Sequence, residues 1–218
     1  VHGAALNFME GPWRADGLEP KFVTVMPHAI NHGAMFDLEL VRRLANATAN
    51  EMRAASLIRY RTSNGQAFAA VACDSGPLAN TAHHPAWGRI AETYGECPFL
   101  VAQTGVAVTA TMQGRTADGT LKTALTTRHY MGYHATNTMP DPQMNVTERD
   151  LYDAYLPQYR AFALQGGAEG IMCGFGSFDG TPSCANQRLL GTELRGKWGA
   201  DSVVQSDCCD SITSIKSL

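Results

Sequence analysis

Several signatures that would assign a chemistry at once are missing from this chain. It has no Cys-x-x-Cys pair, which weighs against a structural zinc site, and no Gly-x-Ser-x-Gly elbow, which weighs against a serine hydrolase. It also has neither a Gly-x-Gly-x-x-Gly motif nor a P-loop, so a nucleotide-binding fold is disfavoured. We therefore expect no organic cofactor.

Strong charge and long apolar runs are scarce as well. The 218 residues carry a net charge of −3 without a basic run, so nucleic-acid binding is not expected. No apolar stretch approaches the ~20 residues that a membrane-spanning helix needs. His28 and His32 are four positions apart but lack an acidic partner at ligand spacing, so we expect no metal site.

Cysteine, by contrast, is well represented, with six residues. Two N-glycosylation sequons begin at Asn46 and Asn145, and the combination indicates a secreted protein in an oxidising setting. Cys173 ends a predicted strand and Cys184 lies in the loop that follows, so we expect them to form a disulfide. Both sequon asparagines should be accessible to a glycan.

Helical and extended patterns alternate along the chain. The predicted helices cover about 38–55, Pro98 to about Met112, and 148 to about Leu164 behind a capping box at Thr147. The predicted strands cover 66–73, 121–130, 169–175 and a buried run that ends at Asp207. Strands separated by helices imply parallel pairing with right-handed crossovers. A barrel and an open doubly wound sheet fit this alternation equally well.

Polar or aromatic side chains follow each predicted strand. They are Arg89, the pair Arg128 and His129, Phe175, and Asp207. In a parallel barrel the carboxyl ends of the strands converge on one face, so these side chains would line one cavity. Guanidinium and imidazole groups can bind vicinal hydroxyls, which favours a neutral polyhydroxylated ligand. The alternative is that polar residues simply return where strands end.

Three motifs, found one after another along the chain, resemble motifs of glycoside hydrolase family 3. Residues 85–98, Pro-Ala-Trp-Gly-Arg-Ile-Ala-Glu-Thr-Tyr-Gly-Glu-Cys-Pro, resemble its Pro-Arg-Trp-Gly-Arg…Glu…Gly-Glu-Asp-Pro signature. Residues 171–186 are similar to the Met-Cys-Ser-Tyr…Gly-x-Pro-x-Cys-Ala-Asn segment of its β-xylosidase-like branch, and residues 194–208 resemble that branch's run into the nucleophile. The resemblance implies an α/β fold, a (β/α)8 TIM-barrel-like domain that is incomplete in this chain. Residues 1–218 would lack the first strand, the last barrel units and a following α/β sandwich domain.

The same resemblance implies a function. It implies a retaining β-glycosidase that is exo-acting on β-linked xylo- or gluco-configured sugars, with Asp207 as the nucleophile. Arg89, Arg128, His129 and Phe175 would contact the sugar, and the general acid would come from outside this chain. The implied partners are a glycoside or oligosaccharide substrate, and the remaining barrel and sandwich domain or another chain that covers the open sheet edges.

Four positions depart from the family pattern. Arg128 stands in place of Lys, Phe175 in place of Tyr, Ala86 in place of Arg, and Cys97 in place of Asp. The arginine keeps the charge but offers a planar fork instead of a compact ammonium, and the phenylalanine lacks a hydroxyl. A catalytically weakened or inactive member, serving as a carbohydrate-binding or structural component of an extracellular assembly, is therefore an alternative. The sequence leaves the preferred sugar and linkage open.

Overall fold

The computed structural model describes residues 24–62, 72–73, 76–133 and 143–207. The strands are β1 (Ala72–Cys73), β2 (Ala124–Tyr130), β3 (Gln143–Met144), β4 (Gly170–Cys173), β5 (Ser177–Phe178), β6 (Thr181–Pro182) and β7 (Val203–Ser206). The α-helices are α1 (Ala29–Ala34), α2 (Leu38–Thr62), α3 (Pro98–Met112), α4 (Glu148–Asp150) and α5 (Pro157–Leu164). Two π-helices cover Leu151–Tyr155 and Arg188–Lys197, and short 3-10 helices cover Ile90–Glu92 and Ser183–Ala185.

A parallel sheet of four strands, in the order β1-β2-β4-β7, forms the frame of the described fold. These strands follow one another in chain order, with helices in the connections. A doubly wound sheet reverses its strand order at a switch point, and the described strands show no such reversal. The α/β class with parallel pairing is therefore confirmed. A separate small sheet, β3-β5-β6, was not predicted from the sequence.

Helices α2 and α3 begin where local chemistry predicts. The Asp37 carboxylate accepts a hydrogen bond from the backbone N–H of Leu40 at 2.9 Å, which satisfies a free donor at the start of α2. Pro98 occupies the first turn of α3, where its missing N–H costs nothing. Helix α2 continues to Thr62, beyond the predicted end near residue 55. Its buried stripe includes Val41 and Met52, which face the core.

The predicted helix from 148 to 164 is interrupted, so that prediction needs correction. Thr147 caps its start, because its hydroxyl accepts the backbone N–H of Asp150 at 3.1 Å. The chain then widens into the π-helix Leu151–Tyr155 before α5 begins at Pro157. Proline lacks an N–H and its ring clashes with the preceding turn, which explains a break at this point.

The strands are shorter than predicted, and β7 is less buried. Of the predicted strand 66–73, only 72–73 lie within the described residues. The run ending at Asp207 was expected to be buried, whereas Val203 is 67% exposed. Within the described sheet β7 pairs with β4 on one side only, which leaves its outer edge uncovered.

The helices pack tightly over the sheet and form a largely apolar core. Gly105 of α3 illustrates how close they come, because a Cβ atom there would lie 1.7 Å from the ring of Phe162 in α5. The Phe162 side chain is completely buried as a result. Within the described residues, no helix combines the length and apolar character that crossing a membrane would require.

Candidate active site

Asp207 directly follows β7 and lies against His129 of β2. Its backbone N–H donates to the carbonyl of Cys173 at the end of β4, at 3.1 Å, so pairing between strands fixes its position. Its carboxylate Oδ2 is 3.3 Å from His129 Nε2. Both side chains are almost entirely removed from solvent. A carboxylate with an imidazole beside it therefore stands at the carboxyl ends of β7 and β2, two parallel strands that lie on either side of β4.

Two arginines share one carboxylate next to this pair. Arg89 binds Glu92 with both ends of its fork, Nε to Oε1 at 2.7 Å and Nη2 to Oε2 at 2.8 Å. Arg128 approaches the same carboxylate from β2, with Nη2 at 3.2 Å from Glu92 Oε2, and also donates Nε to the Gly76 carbonyl at 3.3 Å. The Arg89 Nη1 atom lies 3.4 Å from His129 Nε2. We refer to Arg89, Glu92 and Arg128 as the buried ion cluster.

Aromatic rings border the buried ion cluster. The Tyr133 ring centroid is 5.0 Å from that of His129 and 6.1 Å from that of Phe175. The Arg89 guanidinium carbon lies 5.4 Å from the Tyr133 centroid, a cation–π distance. Phe175 therefore joins the site through Tyr133, and the two rings place apolar surface beside the buried ion cluster.

Side chains bind both polar groups of the His129 backbone, its N–H and its carbonyl. Asn80 Oδ1 accepts the His129 N–H at 2.8 Å, and Asn80 Nδ2 donates to the His129 carbonyl at 3.3 Å. The Tyr159 hydroxyl donates to the same carbonyl at 2.5 Å. Gly174 completes the packing, because a Cβ atom there would lie only 2.9 Å from His129 Cβ. The imidazole beside Asp207 is consequently fixed in place from several directions.

The predicted disulfide is present in the structure. Cys173 at the end of β4 is bonded to Cys184 in the following loop, with Cα atoms 5.3 Å apart. Since the Cys173 carbonyl accepts the Asp207 N–H, the disulfide fastens this loop beside the end of β7. Cys97 is a free and exposed thiol.

The structure brings all five predicted site residues into one connected set. Arg89, Arg128, His129 and Asp207 are linked by polar contacts, and Phe175 is linked through Tyr133. Sequence reasoning did not assign Glu92, Asn80 or Tyr133. Only Glu92 left a usable signal, since it follows Arg89 by three positions, a spacing at which side chains on one turn meet.

The remaining predicted positions lie on the surface. Asn46 and Asn145 are both exposed, although the Asn46 side chain accepts a hydrogen bond from Lys122 Nζ at 2.6 Å. A cavity of about 470 Å³ lies among α3, the first π-helix, α5 and Trp198, and its walls contain none of the site residues. In the described ranges, no three His, Cys, Asp or Glu side chains are grouped to hold a metal ion.

Comparison with known proteins identifies the family. The sequence profile described as "Glycosyl hydrolase family 3 N terminal domain" matches residues 15–217. The chain belongs to glycosyl hydrolase family 3. It is therefore a glycoside hydrolase sequence, and the matched region includes residues 85–98, 171–186 and 194–208.

Relatives within family 3 are β-xylosidases and β-glucosidases. Beta-D-xylosidase 1 of Arabidopsis thaliana is 31% identical over 193 residues, covering 87% of this chain and 24% of that protein. The exo-1,4-beta-xylosidase xlnD of Aspergillus niger is 36% identical over 138 residues, covering 61% of this chain and 17% of that protein. The β-glucosidase from Listeria innocua superposes with a TM-score of 0.75 at 31% identity, covering 88% of this chain and 25% of that structure. The chain thus spans about a quarter or less of the length of these relatives.

Proposed function

We propose that this chain is the catalytic barrel segment of a secreted, retaining β-glycosidase that removes xylo- or gluco-configured residues, with Asp207 as its nucleophile. The observation that supports this most directly is the position of Asp207. It stands at a strand end, nearly buried, with His129 Nε2 at 3.3 Å and Arg89 behind that imidazole. In parallel barrels, catalytic residues lie at the carboxyl ends of the strands, which is where Asp207 stands.

In a retaining mechanism two carboxyl groups act from opposite sides of the glycosidic bond. The Asp207 carboxylate would attack the anomeric carbon while a carboxylic acid ~5–5.5 Å away protonates the leaving oxygen. The aglycone departs with that proton, and an ester joins the sugar to Asp207. Water activated by the same acid residue then cleaves the ester and restores the carboxylate. We expect the acid to come from outside residues 1–218.

The other residues of this chain would bind and orient the glycone. Arg89 and Arg128 carry N–H donors suited to vicinal hydroxyls, and the His129 imidazole adds a further polar contact beside Asp207. Phe175 and Tyr133 would pack against the C–H face of the ring. Arg128 is accommodated where the family pattern has lysine, because Glu92 and the Gly76 carbonyl bind its fork.

The extracellular setting belongs to the same proposal. The disulfide between Cys173 and Cys184 is stable under oxidising conditions, and the exposed side chains of Asn46 and Asn145 leave room for glycans. Mass spectrometry of the protein from a eukaryotic host, before and after enzymatic deglycosylation, tests this part. Unmodified Asn46 and Asn145 would contradict it.

The reaction itself is tested on the full-length protein that carries this chain. Aryl β-xyloside and aryl β-glucoside should be hydrolysed, and proton NMR during the first turnovers should show the β-anomer of the released sugar. Initial release of the α-anomer would contradict retention. Absence of turnover on both substrates would favour the inactive alternative that the four sequence departures raise.

A further inference from the structure

We infer that Glu92 is a positioning residue of this site, which sets the geometry of both sugar-binding arginines and thereby the surroundings of Asp207. The inference rests on the proposed function, because it assigns Glu92 a part in the same reaction. The contacts that carry this role are those of Glu92 with Arg89 and Arg128. Its effect would be transmitted through Arg89 and Arg128.

Three contacts with the two arginines orient the Glu92 carboxylate. Its Oε1 binds Arg89 Nε, and its Oε2 binds both Arg89 Nη2 and Arg128 Nη2. Side-chain exposure in the three residues is only 5–14%, so these ion pairs are poorly screened by water. A planar guanidinium held at two nitrogens by one carboxylate has little rotational freedom left. The Nη1 atom of Arg89 is thereby directed at His129.

This direction matters because Arg89 and Asp207 approach the same imidazole nitrogen. Arg89 Nη1 is 3.4 Å from His129 Nε2, and Asp207 Oδ2 is 3.3 Å from it. A protonated Nε2 can donate to Asp207 but offers Arg89 no lone pair, whereas an unprotonated Nε2 accepts from Arg89 and gives Asp207 nothing. The placement of Arg89 therefore influences the tautomer of His129, and Glu92 fixes that placement.

Charge balance gives Glu92 a second role. Among the described residues of the site, Glu92 supplies a carboxylate that binds both arginines. Without the charge of Glu92, Arg89 would be drawn more strongly toward the carboxylate of Asp207. A direct salt bridge there would occupy the carboxylate that must attack the sugar. Glu92 thus keeps the arginine near the nucleophile without letting it block that nucleophile.

The test first compares the wild-type full-length protein with its Glu92→Gln, Glu92→Asp and Asp207→Asn variants. Glutamine keeps the size but removes the charge and one acceptor, so we expect kcat/KM on aryl β-glycosides to fall about 100-fold, the cost typical of a misplaced catalytic constellation. Affinity for a neutral aldonolactone inhibitor, measured by calorimetry, should fall in parallel. Aspartate retains the charge and should recover at least part of both losses.

A matched control and a second measurement separate positioning from folding. Glu148→Gln removes another glutamate that binds an arginine, Arg188, on the surface, and should leave kcat/KM unchanged. All assays are run well below the melting temperature of each variant. In an Arg89→Ala, Arg128→Ala background, Glu92→Gln should no longer reduce kcat/KM further, because the groups it positions are gone.

The outcomes distinguish the two claims. Near wild-type kinetics in Glu92→Gln, with turnover abolished in Asp207→Asn, would overturn the positioning role and leave the proposed function intact. Equal losses in the presence and absence of both arginines would also overturn it, since Glu92 would then act otherwise than through them. Full turnover in Asp207→Asn would overturn the proposed nucleophile, and with it the inference.

Discussion

Two groups of three charged residues show how differently one kind of contact acts in two parts of this molecule. The buried ion cluster has one carboxylate between two guanidinium groups. The surface ion cluster reverses this arrangement, with one guanidinium between two carboxylates; its members are Glu148, Asp179 and Arg188. The members of the buried group are at most 14% exposed, and those of the surface group are 35–68% exposed.

Burial is what makes the first group consequential. Removing one partner of a buried ion pair leaves an uncompensated charge in a medium that cannot solvate it, whereas water readily replaces a partner at the surface. The buried group also reaches His129, and through it Asp207. The surface group instead joins the first residue of α4 and the residue after β5 to Arg188, at the start of the second π-helix. Similar chemistry therefore orients the candidate active site in one place and connects surface segments in the other.

The largest effect should come from Asp207 itself. Asp207→Asn in the full-length protein removes the nucleophile but keeps the size of the side chain, so turnover of aryl β-glycosides should fall by several orders of magnitude. Steady-state kinetics on both aryl glycosides provides the measurement. Turnover within tenfold of wild type would contradict a catalytic role for the site beside the buried ion cluster.

Replacing one glutamate in each cluster by glutamine compares how much the two clusters contribute to the free energy of unfolding. Glu92→Gln should lower the free energy of unfolding by about 3–5 kcal/mol, because two buried guanidinium groups lose their common partner. Glu148→Gln should lower it by at most about 1 kcal/mol. Urea titration followed by circular dichroism measures both values under identical conditions. Equal costs in the two variants would show that burial does not separate the clusters.

Burial should also make the free energy of unfolding depend on pH. Burial lowers the pKa of His32 in α1 from 6.5 to about 4. Between those values the unfolded chain binds the proton and the folded chain does not, so stability is lost as the pH falls through this window. The loss attributable to His32 is roughly 3 kcal/mol between pH 7 and pH 4.

A His32→Gln variant isolates that contribution from the titration of carboxylates in the same range. Unfolding free energies of both proteins are measured at several pH values between 7 and 4. The difference between the two curves should change by roughly 3 kcal/mol over this range, with wild type losing more. Parallel curves would show that His32 is not the group responsible.

Salt should reduce the contribution of the surface ion cluster to stability and change that of the buried ion cluster little. Arg188→Ala should cost at most about 1 kcal/mol at low ionic strength, and that cost should shrink at 1 M NaCl, where the screening length is about 3 Å. The cost of Glu92→Gln should change little with salt. Repeating the urea titrations at both salt concentrations checks this, and a salt-insensitive Arg188→Ala would contradict it.

Much of this architecture was predictable from local signals. The Asp37 and Thr147 caps, the proline that opens α3 and the strand that delivers Asp207 all depend on residues within a few positions of each other. Long motifs then predicted which strand-end residues belong to one site. Periodicity and capping carry such information because they follow from the geometry of a single turn or strand.

The rest depends on distant contacts that no local pattern encodes. Arg128 and His129 are consecutive in β2, and a regular strand would direct them to opposite faces. Here the register with β4 shifts between Thr127 and Tyr130, and both side chains reach the same site. The role of Glu92 likewise depends on a residue 36 positions away. Pro157 was a local signal for the break before α5, but the widened turn Leu151–Tyr155 had none, since its apolar pattern is that of an ordinary helix.

The most direct test of the central claim is covalent labelling of the nucleophile. The full-length protein is incubated with a slow 2-fluoro-β-glycoside whose leaving group needs little acid assistance, then digested and analysed by tandem mass spectrometry. We predict one fluoroglycosyl ester per molecule, located on Asp207, with labelling abolished in Asp207→Asn and retained in Glu148→Gln. A label on any other residue, or an unlabelled protein that still turns over aryl β-glycosides, would contradict Asp207 as the nucleophile.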